Sequence, residues 1–528
     1  MNSTAWILVD TEREAMLGRI GYAISGCPDT RKAKAETRTV TDKDQHPLIP
    51  ISPGSLTRTT DGPHGILARM SSSVLEIVRA KDRALEPARF RIGDYEFRGP
   101  DYRQILRWAE ALGGSPKDVV EVLSETQAKT ALGDIVEFSV LDGCILSLVW
   151  DFAEFPLDVF TWEAGLRIHT LAYQSEPPSG RLPGTFPSGL NKLCCESMEL
   201  EELHLSGVPE LRDLQCHHNG LTGLDLSVVP ELERLGCSFN ELTDLDLSGV
   251  PGLTTLYCED NQLTELDLSN VPNLTELFCS INQLTELDLS GVPELTKLVC
   301  FKNQLTELDL SDVPELTIVT CEDNQLTKLD LSGVPNLTEL NCSINQLTEL
   351  DLSGVPNLTE LFCSINQLTE LDLSCSPDLT ELVCSFNKLT ELDLWGVPRL
   401  TKLVCSFNKL TELDLWGVPG LTELNCSSNQ LTELDLSGVP ELTTLYCEKT
   451  QLTELDLSVA PELTILNCSI NNLTELDFSG VPDLTGLYCW SNHLTELDIR
   501  PLKHLGSLLV DPDVRIIGTP PEGCQVIR

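Results

Sequence analysis

Beyond Leu190 the apolar positions return with a period of 21 residues, and residues 274–294 show one unit: LTELFCSINQLTELDLSGVPE. A period in this range belongs to stacked repeats, in which each unit buries its apolar face only against its neighbours. Within the unit, Leu277-Phe278-Cys279 alternates as a short strand does, with Leu277 and Cys279 pointing inward and Phe278 outward. Cysteine holds this register from Cys195 to Cys489. Asparagine follows three residues later from Asn219 to Asn492, failing only at Thr450. Its amide can satisfy buried backbone donors and acceptors where the chain turns out of the strand. Proline, from Pro209 to Pro482, punctuates the opposite side of the coil, where it removes no ladder hydrogen bond. Stacked about 4.8 Å apart, such strands make one parallel sheet.

The pattern loosens at both ends. Ile168/Leu171/Tyr173 and Ile145/Leu148/Trp150 stand where degenerate coils would precede Leu190/Leu193/Cys195, and Leu505/Leu508/Val510 continues the register, with Asp513 in the asparagine slot. Degenerate outer units are what capping of an open stack requires. Upstream, Ser73 to Glu76 reads as a capping box opening a helix that ends by Pro87. Gly93-Asp94 joins two short strands as a hairpin, Pro100 to Leu112 reads as a second helix, and two strands flank Asp142-Gly143. The expected organisation is a largely disordered segment over 1–70, polar and Pro/Thr-rich at 28–62, then an α/β N-terminal cap over 71–185. The repeat array follows over 186–510, with a C-terminal cap or tail over 511–528.

The unit L-x-x-L-x-C-x-x-N-x-L resembles the leucine-rich-repeat signature, with cysteine in the third apolar slot, and its short remaining segment resembles the compact repeats of bacterial internalin-like proteins. The resemblance covers roughly 190–510. It implies a β-rich repeat solenoid with a parallel sheet on its concave side, and it implies recognition rather than catalysis.

Charge sharpens this picture. The chain carries a net charge of −45, of which −5 falls in residues 1–185 and −40 from 186 onward. So acidic an array argues against nucleic acid or an anionic membrane as partner. No stretch approaches the ~18 apolar residues of a membrane span, and the first residues lack a signal-peptide pattern, so a cytoplasmic location is expected. In Thr-Glu-Leu-Asp-Leu the two acids share the outward face, as at Glu286 and Asp288. Stacking makes two carboxylate columns whose mutual repulsion should raise some pKa values and invite diffuse divalent-cation binding. The ladder cysteines replace core leucines and are expected to be reduced and buried. No metal site or cofactor is expected: there is no C-x-x-C pair, and His204, His217 and His218, the one histidine group, read as surface residues. Neither a P-loop nor a nucleophile motif is found, and a catalytic segment would have to lie in 1–140, which shows no nucleophile–base pairing.

Recognition must come from positions that vary between repeats. The Thr-Glu-Leu-Asp-Leu side barely changes, whereas the outward positions beside the ladder cysteine do. They give partner-binding candidates Tyr257, Phe278, Val299, Phe301 and Ile318 in one cluster, Phe362, Val383 and Val404 in another, and Tyr446 and Tyr488 beyond. Ile365, Phe386 and Phe407 read as a stacked spine on the coil edge, and Trp395 and Trp416, in place of the usual serine, as the mark of a duplicated coil. The expected function is a non-catalytic protein–protein interaction scaffold. The alternatives are an acidic structural or cation-binding rod and an enzyme in 1–140 with the repeats as its targeting arm.

Overall fold

The computed structural model describes residues 89–92, 94–112, 114–125, 127–129, 135–141, 144–151, 168–174, 182, 186–187 and 189–527. The segment 1–70 and the helix expected after Ser73 lie outside them. The described residues fall into two units divided between Leu232 and Glu233.

The N-terminal unit begins as the sequence suggests. Strand β1 (Arg89–Ile92) pairs antiparallel with β2 (Tyr95–Arg98), Ile92 opposite Tyr95. Helix α1 (Gly99–Leu112) then buries Ile105, Trp108 and Ala109. A second helix, α2 (Pro116–Glu125), was not expected. Its start is nonetheless written locally: Ser115 Oγ accepts from Asp118 N (3.2 Å) while the Asp118 carboxylate accepts from Ser115 N (2.9 Å), and Pro116 occupies the first turn. A further antiparallel pair, β3 (Gln127–Lys129) with β4 (Ile135–Glu137), was also unforeseen.

The ladder of this unit starts with β5 (Ser139–Leu141) antiparallel to β6 (Cys144–Asp151), two strands on either side of residues 142–143 as expected. Parallel pairing then runs from β6 through β7 (Thr170–Gln174) and β8 (Lys192–Cys194) to β9 (Asp213–Gln215). Asp101 in α1 is buried, and its Oδ1 accepts the Ile145 N–H at 2.8 Å, tying the helix to the first parallel strand. Burial pushes that carboxyl above its usual pKa, partly offset by the Ile145 hydrogen bond. Val149, Ala172 and Cys194, which stand side by side in successive strands, form a buried cluster.

The C-terminal unit is a regular solenoid. Three-residue strands from β10 (Arg234–Gly236) to β22 (Gly486–Tyr488) pair in parallel with unbroken register, leucine beside leucine except at Val319. The chain then forms β23 (Glu496–Asp498), β24 (Ser507–Leu509), β25 (Arg515–Ile517) and β26 (Gln525–Ile527), with β24 paired to β22, β25 to β23 and β26 to β24. Residues 511–527 thus add a further coil rather than a plain tail. There Asp511 accepts the Ser491 N–H at 2.9 Å with its side chain.

Hydrogen bonds explain the invariant columns. Asn282 Nδ2 donates to Cys258 O (2.9 Å) in the preceding coil and to Cys279 O (3.1 Å) in its own, while its Oδ1 accepts Leu263 N–H at 3.0 Å. One side chain therefore stitches two coils. Threonine forms a second seam, as where Thr296 Oγ1 donates to Thr275 O at 2.9 Å. The residue before each asparagine takes a left-handed conformation, including Ile281, Ile344 and Phe386 with φ of 54°, 54° and 55°. A β-branched residue is strained there, and the inter-coil bonds hold it in place, as from Ile344 N to Ser364 O at 2.8 Å. Glycine recurs on the proline side because coils crowd there: a Cβ on Gly417 would meet Leu394 O at 2.7 Å.

Candidate binding surfaces

The solenoid offers two chemically different long surfaces in the C-terminal unit, the strand face and the Thr-Glu-Leu-Asp-Leu side.

On the strand face the candidate residues come together as the register requires. Tyr257, Phe278 and Val299 are direct neighbours in consecutive strands, and so are Phe362, Val383 and Val404. Ile318 stands beside Lys297, two residues before the Val299–Thr320 pair. These side chains do not stand free, as had been expected of them. Phe278, Val299, Val383 and Val404 are buried, and Tyr257, Phe301, Ile318, Phe362, Tyr446 and Tyr488 are half-buried. The cause is the strand spacing: outward side chains about 4.8 Å apart cover one another. The Tyr257 and Phe278 rings stack with centroids 4.5 Å apart, and Lys297 Nζ lies 5.1 Å from the Phe278 centroid on a favourable cation–π path. Tyr488 Oη lies 3.1 Å from Ser507 Oγ in the next ladder strand. Phe386 and Phe407 stack at 4.2 Å, as a spine would, while Ile365 is exposed.

Where the aromatic residues are absent, asparagine fills the same position without disturbing the coil. Asn341 and Asn467 are buried, and each Oδ1 accepts the N–H two residues on, at 3.1 Å. Their amides donate to Glu322 (3.0 Å) and Glu448 (2.9 Å) of the preceding coil.

The residue just after the ladder cysteine forms a column of which sequence reasoning singled out only His217 and Phe301. Mostly serine, it includes Glu259, which is buried against Ser238. Desolvation lifts its pKa to about 7, with the Ser238 hydrogen bond opposing the shift. The only available signal was the alternation of Glu and Ser at this place in otherwise constant units.

The acidic side departs from expectation in its electrostatics. Each aspartate accepts the N–H two residues on, as Asp288 Oδ1 does from Ser290 N at 2.9 Å. These are side-chain-capped turns. Hydrogen bonds from serine hold Asp267, Asp309 and Asp351 below the usual aspartate pKa, and repulsion from neighbouring aspartates is the lesser effect. A groove of about 1890 Å³ runs along this side between Lys328 and Asp477.

Of the three histidines, His218 is exposed next to His217 in the chain. His217 is buried, bonded to Gln215 at 3.1 Å and held by burial at a pKa of about 3, while His204 is exposed beside Glu202. The expectation of a surface residue thus fails for His217.

The ladder cysteines are free thiols buried from solvent. Burial raises them, to about 12 at Cys321, Cys384 and Cys426, so little thiolate exists near neutrality. Alkylation of the native chain is therefore expected to label exposed Cys375 and partly exposed Cys524 quickly, and the ladder only after denaturation. Fast labelling of ladder thiols in the native state, or their absence on unfolding, would contradict this arrangement.

The family model for leucine-rich repeats (2 copies) matches residues 398–438. The functional domain of InlJ from Listeria monocytogenes, whose structure includes a cysteine ladder, is 38% identical, with a TM-score of 0.56 over 62% of this chain and 68% of that one. The chain is an internalin-like leucine-rich-repeat protein. YopM from Yersinia enterocolitica is 28% identical, with a TM-score of 0.58 over 71% of this chain and 89% of that one. The plant peptide hormone receptor RGFR1 in complex with RGF2 shares the fold at 20% identity and a TM-score of 0.56, over 68% and 63%. No curated protein sequence matches the chain. Among the described residues no helix is long and apolar enough to cross a membrane.

Proposed function

We propose that this leucine-rich-repeat protein is a non-catalytic interaction scaffold that selects a protein partner with its strand face, around Tyr257–Phe278–Val299 and Phe362–Val383–Val404. The observation that carries this reading is that the fold is indifferent to what stands beside the ladder cysteine. Phe278 and Asn341 occupy equivalent places in equivalent coils, so the aromatic residues are not there to support the coil. The Phe278 ring under Lys297, the half-buried Phe362 ring and the Lys402–Glu381 pair (2.8 Å) combine apolar area with fixed charge, the composition of an interface centre.

The test uses the array's own alternative residue. In Phe278→Asn/Phe362→Asn the new amides would accept Ser280 N–H and Ser364 N–H, as Asn341 does from Ser343. A protein captured from the native host by the wild type should be retained at least about tenfold less by the variant, at unchanged melting temperature. Equal capture by the two forms would remove the strand face from consideration.

A further inference from the structure

Two coils break the otherwise constant groove. Where other units carry serine after Thr-Glu-Leu-Asp-Leu, these carry Trp395 and Trp416, whose side chains line the groove and are 65% and 57% exposed. The fold does not call for an indole here. The residue at this place contributes its backbone N–H to the aspartate two before it, and Trp395 N and Trp416 N do so at 2.9 Å, as serine does. Exposing two indoles to water is unfavourable, and contiguous exposed aromatic surface marks a place of contact.

The surroundings define what that contact is. Trp395 Nε1 donates to Asp414 Oδ2 of the next coil at 3.3 Å, and Asp435 holds the same place in the sequence relative to Trp416. The Trp395 N–H is thus committed to a carboxylate, which enriches that ring's π face, and both indoles are largely exposed. Glu391, Asp393, Glu412 and Asp414 line the groove in the same two coils as the tryptophans, and Lys328, at one end, is the sole basic residue of the lining. An electron-rich face flanked by carboxylates suits a planar cation that can stack and pair at once, which is a guanidinium rather than an ammonium. Because the same acids recur coil after coil, the groove presents charge at regular intervals and fits an extended chain better than a compact ligand. A divalent ion fits poorly, since one oxygen of each aspartate is already engaged by a backbone N–H and an ion makes no use of the indoles.

We propose that the groove between Lys328 and Asp477 docks an extended arginine-rich protein segment, with guanidinium groups stacked on Trp395 and Trp416 and paired to the neighbouring carboxylates. This site is separate from the strand face and does not depend on it.

Fluorescence anisotropy of labelled oligo-arginine and oligo-lysine peptides of equal length, added to the full chain at physiological salt, tests the assignment. The arginine peptide should bind more tightly, and Trp395→Ser/Trp416→Ser, which restores the repeat residue, should weaken it about tenfold at unchanged melting temperature. Phe278→Asn/Phe362→Asn should leave this binding intact. Equal affinity for the serine variant and wild type would overturn the proposal, reducing the groove to diffuse attraction. So would an arginine peptide no tighter than the lysine one, or displacement by calcium beyond that by sodium chloride of matched ionic strength.

Discussion

Asn345→Ala is expected to lower stability by about 2–4 kcal/mol, because it removes a junction of two coils rather than one contact. Asn345 Nδ2 donates to Cys321 O (3.0 Å), Cys342 O (3.1 Å) and Ser343 O (3.1 Å), and its Oδ1 accepts the Leu326 N–H at 2.9 Å. The carbonyls at 321 and 342 keep bonds from Asn324 and Asn366. The Leu326 N–H, on a fully buried residue, would lose the acceptor it uses. In a stack held by nearest-neighbour contacts the loss should be local. Hydrogen exchange should speed up around residues 321–345 well before the far coils respond. The natural gap at Thr450 is the converse case. There Thr450 Oγ1 bonds Cys447 O at 2.9 Å, Asn471 Oδ1 takes the N–H groups of Gln451 and Leu452 at 2.9 Å each, and Gln451 is left at φ 139°. Thr450→Asn should therefore raise stability, by roughly 1 kcal/mol. An alanine variant as stable as the wild type, with unaltered exchange, would show that the asparagine ladder is dispensable.

The asparagine role was legible because an amide donates from one atom and accepts at another, and because it recurs where a strand must turn. The cysteine side of the core was legible for a similar reason, since Leu277 and Cys279 alternate with Phe278. What sequence could not show was determined by distances between coils. Nothing in Phe278 says that Tyr257 and Val299 will cover it; that follows from the parallel spacing of the strands. The aspartates looked like a surface charge column because their partner is a backbone N–H, which no side-chain pattern reveals. The left-handed residue was hidden for the opposite reason: Ile281, Ile344 and Phe386 are residues whose own preferences argue against that conformation, and the neighbouring coil overrides them. Among candidate sites, the strand-face clusters were visible as variation against a constant background. Glu259 was not, because its chemistry arises from burial alone.

Glu259 should make stability fall as pH rises. Its carboxyl has a pKa of about 7 in the fold against 4.5 in the unfolded chain, so between those values the native state holds a proton that the unfolded state has lost. The stabilisation is complete below about pH 4.5 and is lost as pH climbs through 7. A shift of this size corresponds to about 3 kcal/mol as an upper figure. His217 acts in the other sense: with its pKa lowered from 6.5 to about 3, it costs stability as pH falls through that range. The raw pH profile of the wild type therefore mixes two opposed slopes, and the informative quantity is a difference. Glu259→Gln keeps an oxygen acceptor for Ser238 and carries no charge, while the neighbouring Cys258 and Cys279 thiols, raised by burial, stay protonated throughout. The variant should match the wild type near pH 4 and exceed it near pH 8, by a margin approaching 3 kcal/mol if unfolding is cooperative across these coils. A difference that stays constant from about pH 4 to 8 would mean that Glu259 is hydrated in solution and titrates like any surface carboxylate.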